Sequence, residues 1–178
     1  MIEIPPSKAT KLIAPRLTVL VNTIDQKGKL NSSPYSWVFP LSFSPPLIGV
    51  GIGGKNKQTF LNAQRNGEFV VCVVSPDFGQ QAVNCEHAHV PGDKLWQKQG
   101  LHSQKSKKAT IPRIKESKAI LECKVTKFLE YEGDHVILVG EVIYAQAETS
   151  LEEINPLLHD SGEKFRRIGE EITLNRKK

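Results

Sequence analysis

A chain of 178 residues, 39% apolar and 24% charged, has apolar side chains enough for one packed core and too many for a disordered segment. Its formal charge of +5 suits an anionic partner, but the lysines are dispersed instead of gathered into a nucleic-acid footprint. No stretch reaches the roughly 18 apolar residues of a membrane span, the N-terminus carries no apolar leader, and three cysteines at irregular spacing build no disulfide framework. A single cytoplasmic domain over residues 1–178, with no membrane contact, is the expectation.

In chain order, strand signals dominate. Leu17 to Asp25 is β-branched and apolar, and the turn-forming Gln26–Gly28 leads into a second strand that contains Pro34. Pro45 and Pro46 launch a third, "PPLIGVGIG". The pattern of "KQTFLNAQRNG" reads as a short helix that Gly67 stops. "EFVVCVVS" is continuously apolar, as in a strand covered on both faces. A helical turn or two is expected in "PDFGQQAVNCEHA", and a long polar surface loop over about 90–112. Two alternating strands then meet at Glu132–Asp134, and a charged tail runs from about residue 151. Several strands in hairpin order with few helices predict a mainly β fold, a closed antiparallel split β-barrel in which closure removes exposed edges.

The stretch "GIGGKNKQTF" sets Gly54, Lys55, Lys57 and Thr59 between a strand end and a helix start. Free amides at a helix N-terminus, a hydroxyl and ammonium groups suit a phosphate, although the same residues also serve a plain strand–helix connection. It is neither a P-loop nor a dinucleotide fingerprint. Just upstream, Ser32, Ser33, Tyr35 and Ser36 surround Pro34, whose missing N–H interrupts a ladder and leaves amides able to meet a planar ligand. A phosphate cradle beside an amide-presenting ledge is what a phosphorylated heteroaromatic cofactor requires.

The succession "NSSPYSWVFPLSFSPPLIGVGI", "KQTFLNAQRNGEFVVCVV", "PGDKLWQKQGL", "IPRIKESKAILECKV" and "GDHVILVGEV" resembles the flavin reductase-like family, over roughly Ala14 to Glu148. The resemblance implies an FMN-binding split barrel that works as a homodimer without a metal. It implies that Ser33, Pro34, Tyr35, Ser36 and Trp37 lie along the isoalloxazine, and that Lys57 and Thr59 approach the phosphate. Gln58 stands where the family usually has aspartate, and Leu95 where an aromatic is common. A histidine at the position of His135 lies toward the nicotinamide in related reductases, which makes His135 the candidate catalytic residue beside its plain reading as a hairpin histidine held by Asp134.

Cys85, His87 and His89 offer thiolate and imidazole groups close together, but without a second cluster no metal site is expected. Cys72 and Cys123 sit in apolar strand patterns and read as small buried hydrophobes. Arg166 and Arg167 are candidates for phosphate or subunit contacts and equally for solvated surface. No nucleophile elbow or paired-carboxylate arrangement is visible. Three functions follow: an NAD(P)H:flavin reductase passing hydride from NADH or NADPH to FMN, a flavoredoxin-like carrier fed by a protein donor, and a nucleic-acid-binding barrel. The third lacks an aromatic stacking platform, with aromatics only 7% of residues, so no nucleic-acid partner is expected.

Overall fold

The computed structural model describes residues 1–86, 92–148, 153–170, 172 and 174. The first hairpin joins β2 (Val19–Ile24) to β3 (Leu30–Tyr35). Asp25 sets its turn: one carboxylate oxygen accepts the amides of Lys27 and Lys29, each at 2.8 Å, and Gly28 takes φ +75°. Two residues later β4 (Val38–Phe43) begins, and it pairs with β5 (Pro46–Ile52). Helix α1 (Gln58–Asn66) ends where Gly67 enters the left-handed region at φ +70° and donates to the Ala63 carbonyl. It leads to β6 (Glu68–Val73).

The long hairpin of β9 (Ala119–Glu130) and β10 (Val136–Ala147) completes a seven-stranded sheet of order β3-β2-β6-β9-β10-β5-β4. Alternate residues of β2 and β6 face opposite sides, so both faces of these strands are buried, as the unbroken apolar run of β6 requires. Val19, Val21, Phe69 and Val71 pack with Val50, Ile52, Phe60 and Leu138. Leu20, Val70 and Cys72 pack on the other face with Phe78, Trp96, Ile111 and Ile114. A smaller sheet joins β1 (Arg16–Leu17), β11 (Leu158–Ser161) and β12 (Lys164–Arg166) out of the charged tail.

Two expectations are corrected. The seven-stranded sheet does not close into a barrel: β3 and β4 are its edges, and no ladder joins them. Pro34 on one edge and Pro40 on the other have no N–H to give such a ladder. The short link through Ser36 and Trp37 carries the chain from one edge to the other, where β4 pairs with β5 instead. The segment about 90–112 is not a surface loop over its described residues. It holds α3 (Gly92–Lys98) and β7 (Ser103–Gln104), which pairs with β8 (Arg113–Ile114). Leu95, Trp96, Leu101 and Ile111 are buried, and the thin spacing of these anchors among polar residues is what hid them. Val90 lies outside the described residues. The "PDFGQQAVN" stretch forms a 3-10 turn at Pro76–Phe78 and α2 (Gly79–Asn84).

Candidate functional site

The turn between β5 and α1 gathers donors of the kind an anion takes. Gly54 adopts φ +106°, and Lys57 caps the helix by backbone alone, since no side chain caps α1. The first amides of the helix therefore have no intrahelical acceptor. Lys57 is exposed and has no side-chain partner among the described residues, whereas Lys55 is turned away to Glu130 on β9. Gln58 donates to Asn62 Oδ1 at 2.6 Å. These are donors that fit a phosphate dianion: uncapped amides, a free ammonium and a glycine turn that admits close approach.

Thr59, expected to approach the phosphate, has its hydroxyl engaged within the fold. It is 1% exposed, and its Oγ1 accepts from Asn31 Nδ2 at 3.1 Å and hydrogen-bonds the Tyr35 hydroxyl. Asn31 also reaches Thr23, to which Asn62 donates at 3.2 Å. Thr23, Asn31, Tyr35, Thr59 and Asn62 thus form a polar network that pins α1 to the first hairpin. Burial pushes the Tyr35 phenol upward, against the opposing pull of Thr59. Asn31, Thr23 and Asn62 carried no signal in the sequence beyond being polar residues within strands and a helix.

Gly49 and Gly51 of β5 and Gly53 just beyond it alternate with the core residues Val50 and Ile52, which lets side chains lie close on the backbone. A Cβ on Gly51 would sit 3.0 Å from Trp37 Cβ, and one on Gly49 would sit 2.7 Å from the Phe39 ring. Trp37 stacks on His135 with ring centroids 4.3 Å apart and planes 17° from parallel, above Gly53. Asp134 Oδ1 lies 2.6 Å from His135 Nδ1, and this hydrogen bond holds the Asp134 carboxyl below its ordinary range. His135 is therefore both held by its turn and part of an aromatic ledge.

Pro34, Tyr35 and Ser36 line a cleft of about 1070 Å³ between the end of β3, α2 and the β11–β12 hairpin. Its walls include Thr18, Asn84, Leu157, His159, Phe165 and Arg167. Gly54, Lys55, Lys57, Gln58 and Thr59 do not line it; Tyr35 connects the two regions, with a face in the cleft and its hydroxyl on Thr59. Ser33 is half-buried on β3. Arg166 pairs with Asp160 at 2.8 Å, while Arg167 borders the cleft.

Cys72, Cys85 and Cys123 are free and buried; burial raises their thiols, Cys72 to about 12 and Cys85 to about 11. Of the cluster Cys85, His87 and His89, the two histidines lie outside the described residues. Among the described residues, no group of three or more histidine, cysteine or carboxylate side chains stands together as a metal would require.

Comparison with known proteins shows the family. The profile described as a Flavin reductase like domain matches residues 13–169. An uncharacterized protein of Archaeoglobus fulgidus is 33% identical over 83% of this chain and 82% of its own. The crystal structure of nitrilotriacetate monooxygenase component B from Bacillus cereus superposes with a TM-score of 0.85 at 26% identity, over 98% of both chains. Flavoredoxin from Methanosarcina acetivorans gives 0.80 at 25% identity, covering 98% of this chain and 94% of its own. With its profile match spanning most of the sequence and its fold shared with these proteins, the chain belongs to the flavin reductase-like family.

Proposed function

We propose that this protein is an FMN-dependent oxidoreductase that takes hydride from NADH or NADPH, an NAD(P)H:flavin reductase. The observation that carries the reading is the uncapped, glycine-led start of α1 with the unpaired Lys57, a set of donors matched to the FMN phosphate. Bound there, FMN would accept a hydride and release electrons in steps of one or two. Lys57 and the first α1 amides hold the phosphate, Gly54 lets it approach, and the Asn31–Thr59–Tyr35 network fixes the helix that presents them. Trp37 and His135, laid over the β5 glycines, form a flat wall against which a ring is oriented. Hydride transfer asks for such alignment more than for an acid–base pair.

The test is flavin content and NAD(P)H oxidation of the purified protein. Wild type is expected to be yellow and to oxidise NADH or NADPH. Lys57→Ala is expected to weaken FMN about tenfold or more, the loss of one charge-assisted contact of about 1.5–3 kcal/mol. His135→Ala is expected to keep its FMN and slow flavin reduction. Flavin retained as tightly in Lys57→Ala would sink the phosphate assignment. Bound FMN without NAD(P)H oxidation would favour the second reading, an electron carrier fed by a protein donor, which the flavoredoxin relative supports.

The functional unit is proposed to be a homodimer. Leu41 and Phe43 of the edge strand β4, and Leu12 and Ile13 near the N-terminus, are exposed apolar groups that a second copy would cover. Sedimentation of the FMN-loaded protein is expected to give twice the 19.8 kDa chain mass; a loaded monomer would refute the dimer.

A further inference from the structure

The cleft holds a hydroxyl–imidazole pair with its proton positions defined. Ser36 Oγ lies 2.9 Å from His159 Nδ1, and His159 Nε2 lies 3.0 Å from the Gly162 carbonyl. A carbonyl only accepts, so Nε2 carries a proton in every charge state of the ring. In the neutral ring Ser36 donates to Nδ1; in the imidazolium Nδ1 donates to Ser36. Both states keep both hydrogen bonds, and only the direction of the Ser36 bond reverses. Phe165 braces the ring at a centroid distance of 4.9 Å.

Both residues line the cleft, together with apolar Pro34, Val83 and Leu157 and the buried Thr18, whose hydroxyl has no partner among the described residues. Apolar walls, a donor pair and an unanswered buried hydroxyl describe a site for a planar ring bearing carbonyl oxygens.

We propose that the cleft binds a quinone as electron acceptor and that Ser36, backed by His159, delivers a proton to its oxygen. The inference rests on the flavin reading above, in which Pro34, Tyr35 and Ser36 lie along the flavin ring, so that a quinone in the cleft they line stands beside the reduced flavin that gives the hydride. An O–H bond forms at the quinone oxygen as the Ser36 Oγ–H bond breaks, and the Nδ1 proton of His159 moves to Oγ. The hydride supplies two electrons and the second proton, giving the hydroquinone, and the neutral imidazole regains its proton from water. Ser36 is the catalytic residue and His159 the positioning residue behind it. The charged groups around the imidazole are Arg16, its cross-strand partner, Asp160 paired with Arg166, and Glu86, Glu163 and Arg167 at the cleft.

The test compares two acceptors on the FMN-loaded protein: duroquinone, which needs protons, and ferricyanide, which takes single electrons without them. The ratio of duroquinone to ferricyanide rates is expected to fall tenfold or more in Ser36→Ala and His159→Gln. Independently, in the flavin-free protein, duroquinone is expected to move the His159 Nδ1 resonance in nitrogen-15 NMR. Ferricyanide reduction with an unchanged ratio, or an unmoved His159 resonance, overturns the relay alone. Wild type that reduces neither acceptor overturns the flavin reading and the relay with it.

Discussion

Replacing Glu122 with alanine is expected to destabilise the protein by about 3 kcal/mol or more, the loss of charge-assisted hydrogen bonds at a buried site. Glu122 sits on β9 at 0% exposure. Its carboxylate accepts the amides of Lys107, Lys108 and Ala109 at 2.7, 2.6 and 2.8 Å. Three successive amides in a concave turn form an anion nest, and here the anion is the protein's own. Without it, buried donors lose their acceptor and the segment that seats Ile111 and Arg113 loses its clasp. Glutamine at 122 keeps the shape but turns an NH2 group toward amide donors, so it is expected to recover only part of the loss.

The same contact gives stability a pH dependence. Burial pushes the Glu122 carboxyl up, but the three amides and nearby Arg113 together hold it below the usual carboxylate range. A group depressed in the folded state stabilises above its unfolded pKa, about 4.3 for glutamate, and loses that contribution as pH falls through the folded value. Urea unfolding from pH 7 down to pH 3 is expected to show a steeper loss for wild type than for Glu122→Gln. Parallel curves would mean that Glu122 does not govern the acid limb.

Gly140→Ala is expected to cost about 2–3 kcal/mol, an overpacking effect at a fully filled site. A Cβ there would stand 2.4 Å from two atoms of the Phe69 ring and 3.1 Å from Cys123 Cβ. Phe69 is 0% exposed and cannot swing into solvent. The glycine lies at one of two register shifts between β9 and β10, where the strand bends around the ring. Adding Phe69→Leu to Gly140→Ala is expected to return part of the lost stability, with a favourable coupling measured by a double-mutant cycle in urea. Strictly additive losses would show that the glycine answers to backbone geometry, not to the ring.

Local signals in the sequence determined the elements. Apolar strand runs, the Gln26–Gly28 turn and Gly67 as a helix stop marked β2, β3, α1, β6 and the β9–β10 hairpin, because each obeys rules that act over a few residues. The glycine turn before Lys57 was equally legible, since the conformation it needs is local. Only the tertiary structure decided that the sheet stays open, because closure depends on which distant edges can exchange hydrogen bonds, and Pro34 and Pro40 cannot.

Only the fold turned the polar segment at 92–112 inward, since its anchors are sparse in sequence and their partners on β2 and β6 are far along the chain. The same holds for the site. Thr59 read as a phosphate neighbour from the sequence around it, but its contacts with Asn31 and Tyr35, brought from the preceding hairpin, left no local signal. Ser36 and His159 are 123 residues apart. A pair of that kind leaves no spacing to read, and only the packing of the β11–β12 hairpin against the end of β3 brings it together.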